Sequence, residues 1–292
     1  MSLHTLRPAV RQLRTLRAVR AHSTHGSSAS FDPLEVSHFN ALASEWWDPH
    51  GSSRLLHLMN PLRLQFLSSC LSKHGDATKN MKYLDVGCGG GILAESLARL
   101  KGTESVIGVD PTPEVLKIAR GHMRQDPALQ RRLRYVGATI DTLEKVLAEE
   151  GGRELKEGWE GERTMFDVVT TMEVVEHVPH PTRFLKECMQ HVRPGGWVVG
   201  STIARTWTSY LTTKLVAEDI LGIVPKGTHD WNKYVNANEL DSFFRGQDGW
   251  GGKHGEDIVF LGCAYIPGLG WKMVPGGEKV GNYFFGIRRN SE

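Results

Sequence analysis

From Lys82 onward the chain predicts an α/β fold: a mostly parallel sheet covered by helices on both faces. Three observations carry this. Short apolar β-type runs alternate with amphipathic helical patterns. A glycine cluster lies between the first such run and the first helix. The second run ends in an aspartate.

The runs "KYLDVGC", "SVIGVD", "LRYVGA", "MFDVVTT" and "WVVGSTI" read as strands, and "ILAESLARL", "PEVLKIARGHM" and "PTRFLKECMQHV" as helices between them. Strands separated by helices imply parallel pairing with both sheet faces buried. Two further runs, "DIVFLGCAYI" and "NYFFGIRR", follow without a clear helix between them and predict an antiparallel pair at one edge. The charged stretch 149–164 and the glycine-rich "RGQDGWGGKHGED" read as solvated loops.

The 292 residues, 40% hydrophobic and 23% charged, suit a single large domain. The net charge of +2 is unevenly spread. Residues 1–30 hold five arginines (Arg7, Arg11, Arg14, Arg17, Arg20) and no acidic residue. Leu3, Leu6, Val10, Leu13, Leu16 and Val19 recur at helical spacing beside them, and serines close the segment. That is the composition of a mitochondrial transit peptide, which leaves 31–292 as one domain. Removing those five from 35 leaves 30 Lys and Arg against 33 Asp and Glu, so the body offers no dense basic face for nucleic acid. No apolar run of transmembrane length occurs. Cys70, Cys88, Cys188 and Cys263 lack zinc-site spacing and fit a reducing compartment.

In "LDVGCGGG", Gly87, Gly89, Gly90 and Gly91 separate a strand from a helix, where glycine permits a sharp turn and close approach of a ligand. Asp110, 19 residues past Gly91, ends the second strand, where its carboxylate can accept from both hydroxyls of a ribose. The pair predicts a bound nucleoside. A dinucleotide fingerprint fails because Ile92 stands where its third glycine belongs, which disfavours a nicotinamide oxidoreductase, and no P-loop is present.

The form Asp-x-Gly-x-Gly-x-Gly, Asp85 to Gly91, resembles the first motif of class I S-adenosylmethionine-dependent methyltransferases. "FNALASEWWDPHGSSRLLHLMNPLR" (39–63), "MEVVEHVPHP" and "VPKGTHDWNKYV" extend the likeness to the ubiquinone-biosynthesis O-methyltransferases. That family implies a Rossmann-like fold of seven strands with one antiparallel edge strand. It implies an N-terminal helical cap (31–80) and an insertion at 204–240. The reaction it implies is methylation of polyprenylated catechols (3,4-dihydroxy-5-polyprenylbenzoate and 3-demethylubiquinol) in coenzyme Q synthesis. It implies peripheral attachment to the matrix side of the mitochondrial inner membrane and a biosynthetic complex as partner. Carried over by position, its cofactor residues are Arg63, Gly87, Asp110 and Met172, with Gly89 in the same loop. Arg63 suits the methionine carboxylate, although it also reads as a surface residue, and Met172 also reads as core.

Glu173, Glu176 and His177 fall at i, i+3 and i+4 just past the fourth strand, on one face if the chain is helical. Methylating a catechol oxygen requires a phenolate, made by a positioned base or by a divalent metal. The resemblance assigns magnesium to the trio. Imidazole suits other metals better, so His177 or Glu173 also reads as a base, and a solvated helical first turn remains open. His229, beside Asp230, is a further base candidate or a plain loop residue. Residues 207–225, "WTSYLTTKLVAEDILGIVP", predict an amphipathic helix, either a lid or a membrane-surface contact. Two other functions compete: a methyltransferase for another lipid or small phenol, and a non-catalytic scaffold.

Overall fold

The computed structural model describes residues 46–48, 50–51, 53–75, 79–151, 164–206 and 234–291. Residues 1–30, where a transit peptide is expected, His229 and the 207–225 segment lie outside the described residues.

An eight-stranded sheet forms the centre, in the order β3-β2-β1-β4-β5-β8-β6-β7. Its strands are β1 (Met81–Val86), β2 (Thr103–Asp110), β3 (Leu133–Gly137), β4 (Phe166–Met172), β5 (Val192–Ile203), β6 (Ile258–Ile266), β7 (Gly270–Val274) and β8 (Asn282–Arg288). β1 to β5 pair in parallel; β8 runs antiparallel to both β5 and β6, and β7 antiparallel to β6. The expected seven strands with one antiparallel edge strand are therefore corrected to eight. The strand at the edge is β7, and "NYFFGIRR" lies inside the sheet. Glycines and the lysine in "GLGWKMV" hid β7 from the sequence pattern. β5 also begins earlier than expected, because Val192 pairs with Phe166 ahead of an irregularity at Pro194–Gly196.

Seven α-helices surround the sheet among the described residues: α1 (Arg54–Ser72), α2 (Ile92–Arg99), α3 (Pro113–Met123), α4 (Pro127–Gln130), α5 (Leu143–Glu150), α6 (Pro181–Gln190) and α7 (Ala237–Arg245). Strand side chains alternate between two cores, as a pleat requires. Trp197 and Val199 of β5 join Phe66 and Leu67 of α1 on one face. Val198 joins Phe184 and Leu185 of α6 on the other. Burial on both faces explains why β4 is buried throughout.

α1 packs over β5, β8 and β7 and is tied at both ends. Trp271 Nε1 of β7 donates to the Leu55 carbonyl at 3.0 Å. At the far end, Lys73 Nζ and His74 Nε2 lie 3.2 and 2.6 Å from Asp257, which is 4% exposed. Asp257 belongs to the stretch expected to be a solvated loop, so the end of that loop is instead an internal tie. The ties fix the middle of α1, where Arg63 lies within electrostatic reach of Asp85 near the end of β1 and of Glu173 just after β4.

Candidate active site

In an open α/β sheet ligands settle beyond the carboxyl ends of the strands, where crossovers leave in opposite directions. Here that point lies between β1 and β4, which are neighbours in the sheet. The glycine loop follows β1, Asp110 ends β2, Glu173 follows β4, and Ser201 and Thr202 stand near the end of β5.

The loop leaves β1 with Gly87 at φ +71° and Gly89 at φ +52°, conformations that side chains with a Cβ rarely adopt. Gly87 and Cys88 donate to the Val109 carbonyl at 2.8 and 3.1 Å. The Asp110 carboxylate then clamps the loop, accepting from Gly89 N at 3.0 Å and Thr112 N at 2.9 Å. Burial raises the pKa of Asp110, and the bonds from Thr112 and Gly89 oppose that shift. Each of its oxygens retains acceptor capacity for a ribose hydroxyl.

Arg63 is 5% exposed, which removes the surface alternative for it. Burial lowers its pKa, while the charges of Glu173, Asp85 and Glu176 hold it up. Its Nε has no partner. Asp85 accepts from Thr170 Oγ1 at 2.7 Å through Oδ1, whereas its buried Oδ2 has no partner. Desolvation pushes Asp85 up to about 6 against the Thr170 bond and the Arg63 charge. Asp85 was quoted in the motif but given no role from sequence; its orphaned oxygen is what singles it out. Met172 is buried in the core cluster beneath α1.

The segment after β4 is not an α-helix. Glu173 has φ +57°, Val175–His177 form a single 3-10 turn, and α6 starts only at Pro181. The expected common helical face for Glu173, Glu176 and His177 is thereby corrected. Two hydroxyls account for it. Ser201 Oγ donates to Glu173 Oε1 at 2.5 Å, and Thr202 Oγ1 donates to Glu176 Oε2 at 2.7 Å. Consecutive strand residues point to opposite sheet faces, so the two carboxylates are drawn to opposite sides of β5. Glu176 is 3% exposed and its Oε1 has no partner. Desolvation, then the Glu173 charge, pushes it up to about 7. His177 is half-buried, its backbone N–H on the Val174 carbonyl at 2.8 Å. Among the described residues no three His, Cys, Asp or Glu side chains are grouped to hold a metal ion. As placed, the trio does not fit one. Ser201 and Thr202 were read from sequence only as strand; two adjacent hydroxyls near a strand's carboxyl end were the available signal.

Residues 63–248 match the family described as Methyltransferase domain. The mitochondrial ubiquinone biosynthesis O-methyltransferase of Candida albicans is 34% identical over 307 residues, covering 92% of this chain and 88% of that one. Its namesake from Schizosaccharomyces pombe is 44% identical over 214 residues, with 73% and 71% covered. The ubiquinone biosynthesis O-methyltransferase of Acinetobacter baylyi is 40% identical over 214 residues, with 73% and 80% covered. Among solved structures, the plantazolicin methyltransferase BpumL in complex with SAH superposes with a TM-score of 0.54 at 15% identity, covering 88% of this chain and 97% of that one. A likeness at that identity speaks to the fold alone. Sheet order, glycine loop and sequence kinship converge: the chain is a methyltransferase and belongs to the ubiquinone biosynthesis O-methyltransferase family.

Proposed function

We propose that the protein methylates a phenolic oxygen of polyprenylated catechols, 3,4-dihydroxy-5-polyprenylbenzoate and 3-demethylubiquinol, using S-adenosylmethionine. The observation that carries this is the meeting, at one sheet edge, of the Gly87–Gly89–Asp110 cradle with the Glu173–Glu176–His177 turn. The cofactor supplies an electrophilic methyl group on a sulfonium. Asp110 accepts from the ribose hydroxyls. The unpartnered Arg63 Nε and Asp85 Oδ2 match the methionine carboxylate and ammonium in charge and polarity. The phenol proton passes to Glu173 or His177, with His229 as a further candidate base. The phenolate oxygen then bonds to the methyl carbon as the sulfur–carbon bond breaks, releasing S-adenosylhomocysteine.

By the family resemblance Glu173, Glu176 and His177 would hold a divalent metal, magnesium, which would lower the pKa of a catechol oxygen, although the trio as placed does not fit one. The unpartnered Glu176 Oε1 favours it, but Glu173 and Glu176, held by Ser201 and Thr202, would have to turn toward a common point. Transfer from labelled S-adenosylmethionine to a short-chain 3,4-dihydroxy-5-prenylbenzoate, with EDTA and then with magnesium, manganese or zinc, separates the two. Transfer that survives EDTA supports proton removal by the protein. Transfer that vanishes and returns with metal supports the ion. No transfer to any catechol defeats both.

The protein acts, in this reading, at the matrix side of the mitochondrial inner membrane, in a coenzyme Q biosynthetic complex. The arginine-rich N-terminal segment and the mitochondrial names of its eukaryotic relatives support the mitochondrial part of this reading. No helix among the described residues is long and apolar enough to cross a membrane. Peripheral contact through 207–225 is tested by flotation of protein lacking 1–30 with anionic liposomes; protein left at the bottom counts against it.

A further inference from the structure

Two consecutive tryptophans lie against the glycine loop. Trp46 is 8% exposed and packs with Ile92 at the start of α2 and Val115 in the first turn of α3. Its indole covers the Cα atoms of Gly89 and Gly90 so closely that a Cβ on either would collide with the ring. Trp47 Nε1 donates to the Gly90 carbonyl at 2.8 Å.

Three helices hold this pair in place. From α1, His57 Nε2 lies 2.8 Å from the Trp46 carbonyl, and its ring meets Trp47 edge-on at 5.2 Å. From α3, His122 stacks on Trp47 with centroids 3.5 Å apart and planes 2° from parallel. From α2, Glu95 lies 2.8 Å from His122 Nδ1 and 3.0 Å from Arg99 NH1. Glu95 has no exposed surface, and a buried carboxylate is costly unless it is paired. The pairing fixes the plane on which Trp47 rests.

The position of Trp46 gives the strap a role beyond packing. It bridges the glycine loop and the first turn of α3, the same gap that Asp110 spans by bonding Gly89 N and Thr112 N. A nucleoside held by Asp110 therefore has Trp46 as a neighbour. We propose that Trp46 forms one wall of the S-adenosylmethionine site, and that Trp47 is a positioning residue that holds it there and slows cofactor release. The inference rests on the cofactor reading given above.

Titration calorimetry with S-adenosylhomocysteine tests it, on wild type, Trp46→Phe, Trp46→Ala and Trp47→Phe, with unfolding temperatures measured without ligand. Trp46→Ala is expected to weaken binding tenfold or more, and Trp46→Phe to restore most of the loss. Trp47→Phe, which keeps the stack but loses the bond to Gly90, should weaken binding about threefold, with faster dissociation in stopped-flow. A folded Trp46→Ala that binds within twofold of wild type overturns the proposal. Tighter binding also overturns it, making Trp46 a plug. Should Trp46→Ala not fold, fluorescence decides: the emission change on adding S-adenosylhomocysteine must be present in wild type and largely lost in Trp46→Phe, and its persistence there sinks the idea. Wild type that does not bind S-adenosylhomocysteine would instead refute the cofactor reading.

Discussion

Ser201 Oγ donates to Glu173 Oε1 at 2.5 Å and accepts from the Glu173 backbone N–H at 3.1 Å. One hydroxyl thus holds both the side chain and the backbone of a residue at φ +57°. A non-glycine residue there costs on the order of 1 kcal/mol. The Ser201 carbonyl takes the Glu173 N–H as well, at 3.1 Å, so the strained residue is fixed by the end of the neighbouring strand.

Ser201→Ala should therefore leave the fold intact and lower methyl transfer. A hydrogen bond to a charged group contributes about 1.5–3 kcal/mol, so turnover should fall on the order of tenfold or more. Steady-state kinetics at saturating cofactor checks this, and unchanged turnover would detach Ser201 from the chemistry.

Asp110→Ala removes the clamp on Gly89 and the ribose acceptor together. Affinity for S-adenosylhomocysteine should fall by about 10- to 100-fold, from one to two hydrogen bonds to a charged group. Calorimetry reads it directly. Wild-type affinity in this variant would place the nucleoside elsewhere.

Glu176 has its pKa raised from 4.5 to about 7. The folded chain holds this proton more tightly than the unfolded chain does. Its contribution to stability is therefore present below pH 4.5, declines as pH rises to about 7, and is level beyond that. Glu176→Gln removes the titration, so its melting temperature relative to wild type should climb across that window. A constant difference from pH 4.5 to 7.5 would contradict the assignment.

Arg63→Met leaves Asp85 and Glu173 without their buried cation. Removing one partner of a buried charge set costs about 3–5 kcal/mol, so the variant should unfold at a markedly lower temperature and bind S-adenosylhomocysteine weakly. Equal melting temperatures would mean that the carboxylates find other partners.

Much of this architecture was legible in the sequence because it rests on local patterns. The first five strands, and the helices beginning at Ile92, Pro113 and Pro181, follow apolar periodicity, and the glycine loop announces its own turn. What escaped depends on distant partners. β7 is an edge strand whose pairing to β6 outweighs its glycine and the one two residues before it. The trio after β4 carries helical spacing, yet Ser201 and Thr202, more than 20 residues further on, pull its carboxylates apart. Asp257 sits in a glycine-rich run, yet it is buried where the end of α1 and the end of β8 meet it. Spacing reports which side chains share a face of one element; it is silent on which residue of another element captures them.

The most direct test of the central claim pairs methyl transfer with cofactor binding in wild type and Glu173→Gln, using protein lacking residues 1–30 and a short-chain 3,4-dihydroxy-5-prenylbenzoate. The account predicts transfer by wild type. In the variant it predicts transfer lowered about 100-fold or more, as loss of a group acting on the phenol proton implies, with S-adenosylhomocysteine affinity kept within a few-fold. Equal transfer by both proteins would show that the turn after β4 does not serve the reaction.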